Sequence, residues 1–421
     1  MNCRLDTLRA LMVAACLCAC ALAQVPWPRA LQAAASAGAA TPARTPAEGE
    51  VSLPAAADWR AFLVHDADCG VWYAHAGPFV EALGSHEIVA ADDKGRVLLL
   101  TVYSGKWTAH TVAPDGQWLA PSPPADVDAR VEGREFYAAG KGGSVHQITL
   151  LEQPFAKFLP QSREIGHRGG EEFHAILAAD VDPTAPGDEL LVFGITGAAY
   201  QLRAQGDGDE GSGAFAMRRL AVLPGRVRDT VVLPPAAPDG APLVVAASRS
   251  GHLLGLRLRG EDLQVQVLAA ETSGLGRVAR RPRQAGAPEV VYATRDDGVL
   301  LRFEQQQGGG FAREVIFAGA QGLRGVAAGR FFADGREAVA VYGYGREVQL
   351  VSRADAGAAD RAGGWAVTTL FTSAQQGHWL CVGEFDGRNT TDELVATGFD
   401  GEVVLLARPI GYGFEGVAVP R

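Results

Sequence analysis

The sequence predicts an all-β protein, a seven-bladed β-propeller of four-stranded blades, and three observations carry that expectation. The first is a unit near the C-terminus, Thr391 to Ala407, in which the apolar runs Leu394–Thr397 and Val403–Leu406 flank Asp400-Gly401 behind an acidic pair, Asp392 and Glu393. Alternating β-branched residues on both sides of a glycine turn read as a β-hairpin. The second is recurrence. Hairpins of this kind start at Glu87, Glu135, Glu189, Leu243, Glu289, Glu337 and Glu393, spaced by roughly 50 residues, the period of a propeller blade. The third is that no stretch beyond the N-terminus carries a helical period.

The chain has 421 residues, with Gly 52, Pro 23 and a formal net charge of -10. Seven blades account for most of that length, so no second domain and a monomer are expected. The acidic balance argues against a nucleic-acid partner, which needs a basic surface. Of the 6 cysteines, Cys3, Cys16, Cys18 and Cys20 precede the body, leaving Cys69 and Cys381 within it, too few for a disulfide framework. These two can bridge in an oxidising compartment, but Cys381 sits among apolar strand residues and reads better as a buried thiol.

Arg4 and Arg9 precede an apolar run, Ala10 to Ala23, that ends in Ala21-Leu22-Ala23. This is the pattern of a signal peptide over 1–23, and it implies export, secreted or periplasmic. Leu17-Cys18-Ala19-Cys20 offers a second reading, a lipobox with a membrane anchor at Cys20. Residues 24–57 are Ala/Pro-rich without periodicity and read as a flexible linker. The propeller is assigned to 58–421.

Within each repeat the hairpin supplies the middle two strands. An outer strand opens on an aromatic in Trp107-Thr108-Ala109-His110, Phe311-Ala312-Arg313-Glu314 and Trp365-Ala366-Val367-Thr368. Trp59 to Val64 has the same pattern but lies ahead of the first hairpin, so it is expected to complete the last blade and close the ring. Pro409 to Arg421 is the competing candidate for that role.

The innermost strands precede the hairpins. In the third repeat His174 leads to Asp180-Val181-Asp182 and then Asp188-Glu189; in the seventh His378 leads to Glu384-Phe385-Asp386 and then Asp392-Glu393. This pattern resembles the FG-GAP/VCBS repeat of integrin-α-like propellers, over roughly residues 59–408. The resemblance implies a calcium loop, D-x-D-x-D-G-x-x-D. Asp180, Asp182 and Asp188 match its first, third and ninth positions, as do Glu384, Asp386 and Asp392. The fifth position holds Thr184 or Arg388, and the glycine is replaced by Ala185 or Asn389. Ca2+ takes six to eight oxygens, so the alternative is that these carboxylates cap turns.

Aligning the innermost strands brings out a cationic ring. His174, Arg226, Arg277, Arg324 and His378 recur once per blade near the strand start, and Trp72 holds the matching place in the first repeat. Such positions border the central channel. Arginine forks suit carboxylate or sulfate, and a focused positive well in an acidic protein attracts anions. Three functions compete. One is a binding module for an anionic polysaccharide (glycan) or protein partner. Another is a carbohydrate-active enzyme such as a polysaccharide lyase, with an arginine neutralising a uronate and His174 or His378 as base. The third is a structural scaffold. No G-x-S-x-G, H-E-x-x-H or P-loop occurs, and no catalytic residue is assigned. Gly166 to Glu172 is a polar loop entering the same face, with His167 and Glu172 as candidate contacts.

Overall fold

The computed structural model describes residues 59–408, apart from loop segments at 84–85, 104–105, 114–117, 132–133, 154–156, 206–214, 236–239, 355–363 and 386–390. The expected signal peptide, linker, Cys20 anchor, Asp386 and the tail 409–421 lie outside the described residues.

Seven antiparallel four-stranded sheets make up the fold. Strands a to d of each blade run from the axis outward. Blade 1 is Val71–Gly77, Glu87–Asp92, Val97–Tyr103 and Lys106–Ala113, and blade 2 is Trp118–Pro121, Glu135–Gly140, Ser144–Gln153 and Lys157–His167. Blade 3 is Phe173–Ala179, Glu189–Gly194, Ala198–Ala204 and Phe215–Val222; blade 4 is Val227–Leu233, Leu243–Ser248, His252–Arg259 and Asp262–Ala270. Blade 5 is Leu275–Arg280, Val290–Arg295, Val299–Gln305 and Phe311–Ala318, and blade 6 is Leu323–Ala328, Ala338–Gly343, Glu347–Arg353 and Trp365–Thr372. Blade 7 takes Gly377–Gly383, Glu393–Gly398 and Glu402–Ala407 from the C-terminal end and is completed by Arg60–Asp66. The N-terminal strand therefore closes the ring, pairing from Arg60↔Ala407 to Asp66↔Glu402.

Strand b shows why the sequence folds this way. All six residues are buried in six blades, because both of its faces pack against neighbouring blades. A strand covered on both sides reads as a continuous apolar run rather than an alternation. Outer strands keep one wet face, as in Phe215–Val222. Between strands b and c a left-handed residue recurs: Gly95, Gly143, Gly197, Gly251, Gly298 and Gly401 all have positive φ. A Cβ at Gly143 would collide with the carbonyl oxygen of Arg168, so glycine is required there by packing as well as by φ. Blade 6 differs in placing Arg346 (φ 67) at this step.

The recurring glutamate at the start of strand b holds the turn that precedes it. Glu87 Oε2 accepts from Phe79 N (2.8 Å) and Val80 N (2.9 Å). Glu135 does the same for Val127 and Asp128, and Glu189 for Val181 and Asp182. Each carboxylate thus satisfies two backbone donors that the a–b turn leaves unpaired. Burial raises the carboxyls of Glu87 and Glu189 to about 7.

Both groups hold a proton more tightly folded than unfolded, so the stability they contribute is fully present below the ordinary glutamate pKa and is lost as pH rises through about 7. The expected loss between pH 5 and pH 8 is on the order of 2–3 kcal/mol per group. Glu87→Gln keeps an oxygen for the two N–H donors and should flatten the slope measured by chemical unfolding across that range. A variant as pH-sensitive as the parent would remove Glu87 as a source of the effect.

Candidate functional site

Each of the seven a strands carries a register break next to its first paired residue. The pairs Val71↔Asp92 and Tyr73↔Ala91 bracket Trp72; Phe173↔Gly194 and Ala175↔Phe193 bracket His174; Leu323↔Gly343 and Gly325↔Tyr342 bracket Arg324; Gly377↔Gly398 and Trp379↔Thr397 bracket His378. A bulge of this kind re-aims the extra side chain. In blade 4 the bulged residue is Arg228, between Val227↔Ser248 and Asp229↔Ala247, and in blade 5 the break spans Gly276 and Arg277. This corrects the sequence alignment. Arg226 stands just ahead of its strand, and the position equivalent to His174 in blade 4 is Arg228. The repeated Gly-Arg-Val tripeptides misled the alignment because they occupy different strand positions: pairing begins at Val227, the end of the tripeptide, in blade 4 and at Leu275, ahead of it, in blade 5.

The structure nonetheless brings Trp72, His174, Arg226, Arg324 and His378 together at one mouth of the channel, whereas Arg277 stands one residue deeper, at the strand position of Tyr73, and Gly276 holds the mouth position in blade 5. Arg324 Nη1 donates to Asp296 Oδ1 at 2.6 Å, and Arg228 Nη1 donates to the same oxygen at 2.7 Å. Arg277 donates to the carbonyl oxygen of Arg228 and lies with its guanidinium carbon 4.3 Å from the Trp379 ring centroid. His378 Nδ1 donates to Trp72 O at 2.7 Å. Trp72 gives its indole N–H to Asp93 and packs edge-on to His378 (4.7 Å) and Phe399 (5.0 Å). The Arg324 guanidinium sits over Tyr344 at 5.2 Å.

Arg226 is the least paired of these arginines, although the buried Nε of Arg277 also lacks a partner. His174 Nε2 lies 2.7 Å from Glu172 Oε1, and Arg226 Nη1 lies 3.4 Å from the same Nε2. A carboxylate only accepts, so Nε2 carries the proton and cannot also accept from Arg226. Nε of Arg226 is buried with no hydrogen-bond partner. One guanidinium at the mouth is therefore short of acceptors, and burial, with Arg228 and Arg249 nearby, lowers its pKa to about 10.

The imidazoles contribute no charge at neutral pH. Burial, reinforced by Arg226 and Arg277, brings His174 down to about 3, and burial with Arg277 holds His378 well below its ordinary value. The positive charge at the mouth is arginine. Neutral rings with such depressed pKa values are also weak general bases near pH 7, which weighs against the lyase reading.

One step inward, the channel is crossed. Tyr73 of blade 1 stacks on Trp379 of blade 7 with centroids 3.6 Å apart, and its hydroxyl reaches Asp229 Oδ1 of blade 4 at 3.4 Å. Arg277 of blade 5 lies over the Tyr73 ring at 5.6 Å. Asp229, only 7% exposed, also accepts from Thr230 N (2.9 Å) and Val278 N (3.0 Å). Burial lifts its carboxyl to about 6 against the pull of Arg277. Asp229, Tyr73, Trp379, Arg228 and Asp296 were not singled out by sequence. The position of Asp296, first after strand b, holds Asp93, Lys141, Arg249, Tyr344 and Phe399 in other blades, and aligning those turns would have found this second ring. In the polar loop, His167 Nδ1 lies 3.0 Å from Ser144 Oγ, so Glu172 rather than His167 contacts a ring residue.

The acidic loops are built differently from a cation cage. Asp182 accepts from Thr184 N and Oγ1, from Gly260 N and from Arg203 Nη2. Asp188 Oδ2 accepts from Asp126 N in blade 2, and Asp392 accepts from Arg330 N and its guanidinium in blade 6. Glu384 joins blade 7 to blade 1, its carbonyl oxygen accepting from His86 N and its N–H donating to His86 Nδ1. Asp180 is exposed. An arginine thus sits on Asp182 and another on Asp392, and no group of three or more His, Cys, Asp or Glu among the described residues, which leave out Asp386, is placed to hold a metal. Their contacts tie successive blades together. Cys69 and Cys381 are free thiols, and burial pushes Cys381 up to about 12.

Fold and site together define an all-β seven-bladed propeller with an arginine-lined channel mouth. Among solved structures it is similar to the WD40 β-propeller domain of Doa1, with TM-score 0.54 and 11% identity over 83% of this chain and 97% of that one. It is also similar to BBS1N in complex with ARL6DN (mercury soak), with TM-score 0.54 and 12% identity over 83% of this chain and 98% of that one. These likenesses show the fold alone. No family model matches the sequence, and no curated protein matches it significantly.

Proposed function

We propose that this propeller is an exported binding module whose channel mouth takes an anionic ligand, a uronate-bearing glycan. The observation that carries the reading is Arg226, a guanidinium facing a donor on one side and lacking any partner at Nε. A carboxylate at the mouth supplies acceptors to the two Nη groups, in the two-pronged geometry that arginine favours. Tyr344, Phe399 and Trp72 line the adjoining part of the mouth and suit the apolar face of a sugar ring. An acidic protein partner is the second reading, favoured by BBS1N, a propeller of similar fold captured in complex with ARL6DN. The acidic pairs Asp188-Glu189 and Asp392-Glu393 support an integrin-α-like repeat lineage.

Titration calorimetry with oligogalacturonate at low ionic strength tests the site. Binding is expected to weaken as salt rises, and Arg226→Ala should cost roughly 10-fold or more in affinity, the value of a charge-assisted hydrogen bond. Adding Arg324→Ala should abolish it. Binding of poly-glutamate without uronate binding would shift the assignment to an acidic protein. Wild-type affinity in the double variant would remove the mouth as the site.

A further inference from the structure

We infer that the channel mouth recognises the end of its ligand chain, one terminal unit seated in a shallow cup, rather than a chain threaded through the ring or laid along it. This rests on the anion-binding reading above. The cup has a floor, because the layer just inside the bulged residues spans the axis from wall to wall. Tyr73 and Trp379 come from blades 1 and 7, Asp229 and Arg277 from blades 4 and 5, and they touch across the centre. The same layer has small residues elsewhere, Ala120, Ala175 and Gly325, so the large side chains converge without competition. A Cβ at Gly325 would come within 3.0 Å of the backbone of Leu380 and Trp379.

The depth of the cup follows from strand geometry. The floor residues directly follow the bulged ones, a step of about 3.3 Å along the strand. That admits one ring or one carboxylate and no second unit beneath it. The walls are also divided. Arg226, Arg228 and Arg324 with Asp296 occupy the side of blades 4 to 6, whereas Trp72, His378 and Phe399 form an edge-on aromatic cluster on the side of blades 7 and 1. A terminal uronate fits this division, its carboxylate toward the arginines and the C–H face of its ring toward the aromatics.

Galacturonate chains of one to eight units, titrated calorimetrically, provide the test. The expected result is one propeller per chain at every length, with affinity levelling off by the second or third unit and falling roughly 10-fold or more at every length in Arg226→Ala. Two or more propellers per octamer, or affinity that keeps climbing to the octamer, would overturn the end-on mode while leaving the anion site standing. No binding at any length in low salt would overturn both.

Discussion

A chain beginning at Ala67 is expected to lose cooperative folding, whereas one beginning at Asp58 should retain it. The difference is the strand Arg60–Asp66, which pairs along the whole of Glu402–Ala407. Removing it opens the last blade and leaves a long strand edge unpaired, with Val404 and Leu406 stripped of cover. The anchor beside it goes as well. Trp59, 4% exposed, packs edge-on against Phe331 of blade 6 at 6.1 Å and lies under the Arg408 guanidinium at 5.4 Å. Ring closure couples every blade to the next, so the cost should approach the whole stability of a domain, ~5–15 kcal/mol. Thermal unfolding and size-exclusion chromatography of the two chains give the comparison. A synthetic peptide covering 58–67 should restore the transition. If the shorter chain melts within a few degrees of the longer, the strand is dispensable and the closure has no energetic weight.

Asp229→Ala is expected to cost ~3–5 kcal/mol, because it strands two buried N–H donors, removes the acceptor of the Tyr73 hydroxyl and withdraws the negative charge that attracts the buried Arg277 guanidinium. The carboxylate lies at the centre of the ring, facing the Arg277 guanidinium and holding Val278 N, Thr230 N and the Tyr73 hydroxyl. Its loss leaves Arg277, whose Nε already lacks a partner, charged in a confined apolar layer against Tyr73 and Trp379. Pairing the change with Arg277→Leu should recover much of the loss, since the stranded charge then disappears. Urea unfolding at pH 7.5, where Asp229 with its pKa of about 6 is ionised, measures both. Additive losses in the double variant would mean that the two groups do not act on each other.

Most of the fold was legible because it is written in short-range patterns. The middle of strand b is apolar in every blade, as in Ile88–Ala91 or Leu394–Ala396, because neighbouring blades cover both faces. Glycine marks the turn after it wherever φ is positive, except at Arg346. The candidate site was legible only in part. Trp72, His174, Arg324 and His378 do stand at one strand position, but Arg228 was displaced by Arg226 in the alignment because the tripeptides Gly225-Arg226-Val227 and Gly276-Arg277-Val278 look alike while entering their strands at different points. The acidic loops carry the letters of a calcium motif, and no local pattern marks Arg203 on Asp182 or Arg330 on Asp392, partners supplied by other strands and other blades.

The sequence by itself determined the repeat, the number of blades and the turn chemistry, all of which depend on residues within a few positions of one another. Only the tertiary structure decided which end closes the ring, which charges are compensated and whether the channel is open. Those outcomes depend on pairs such as Tyr73 and Asp229, 156 residues apart, or Arg60 and Ala407 at the two ends of the propeller. Whether an arginine is paired or short of an acceptor depends on what faces it across the axis. Arg324 and Arg228 share Asp296, while Arg226 meets a protonated Nε2, and no local pattern encodes that difference.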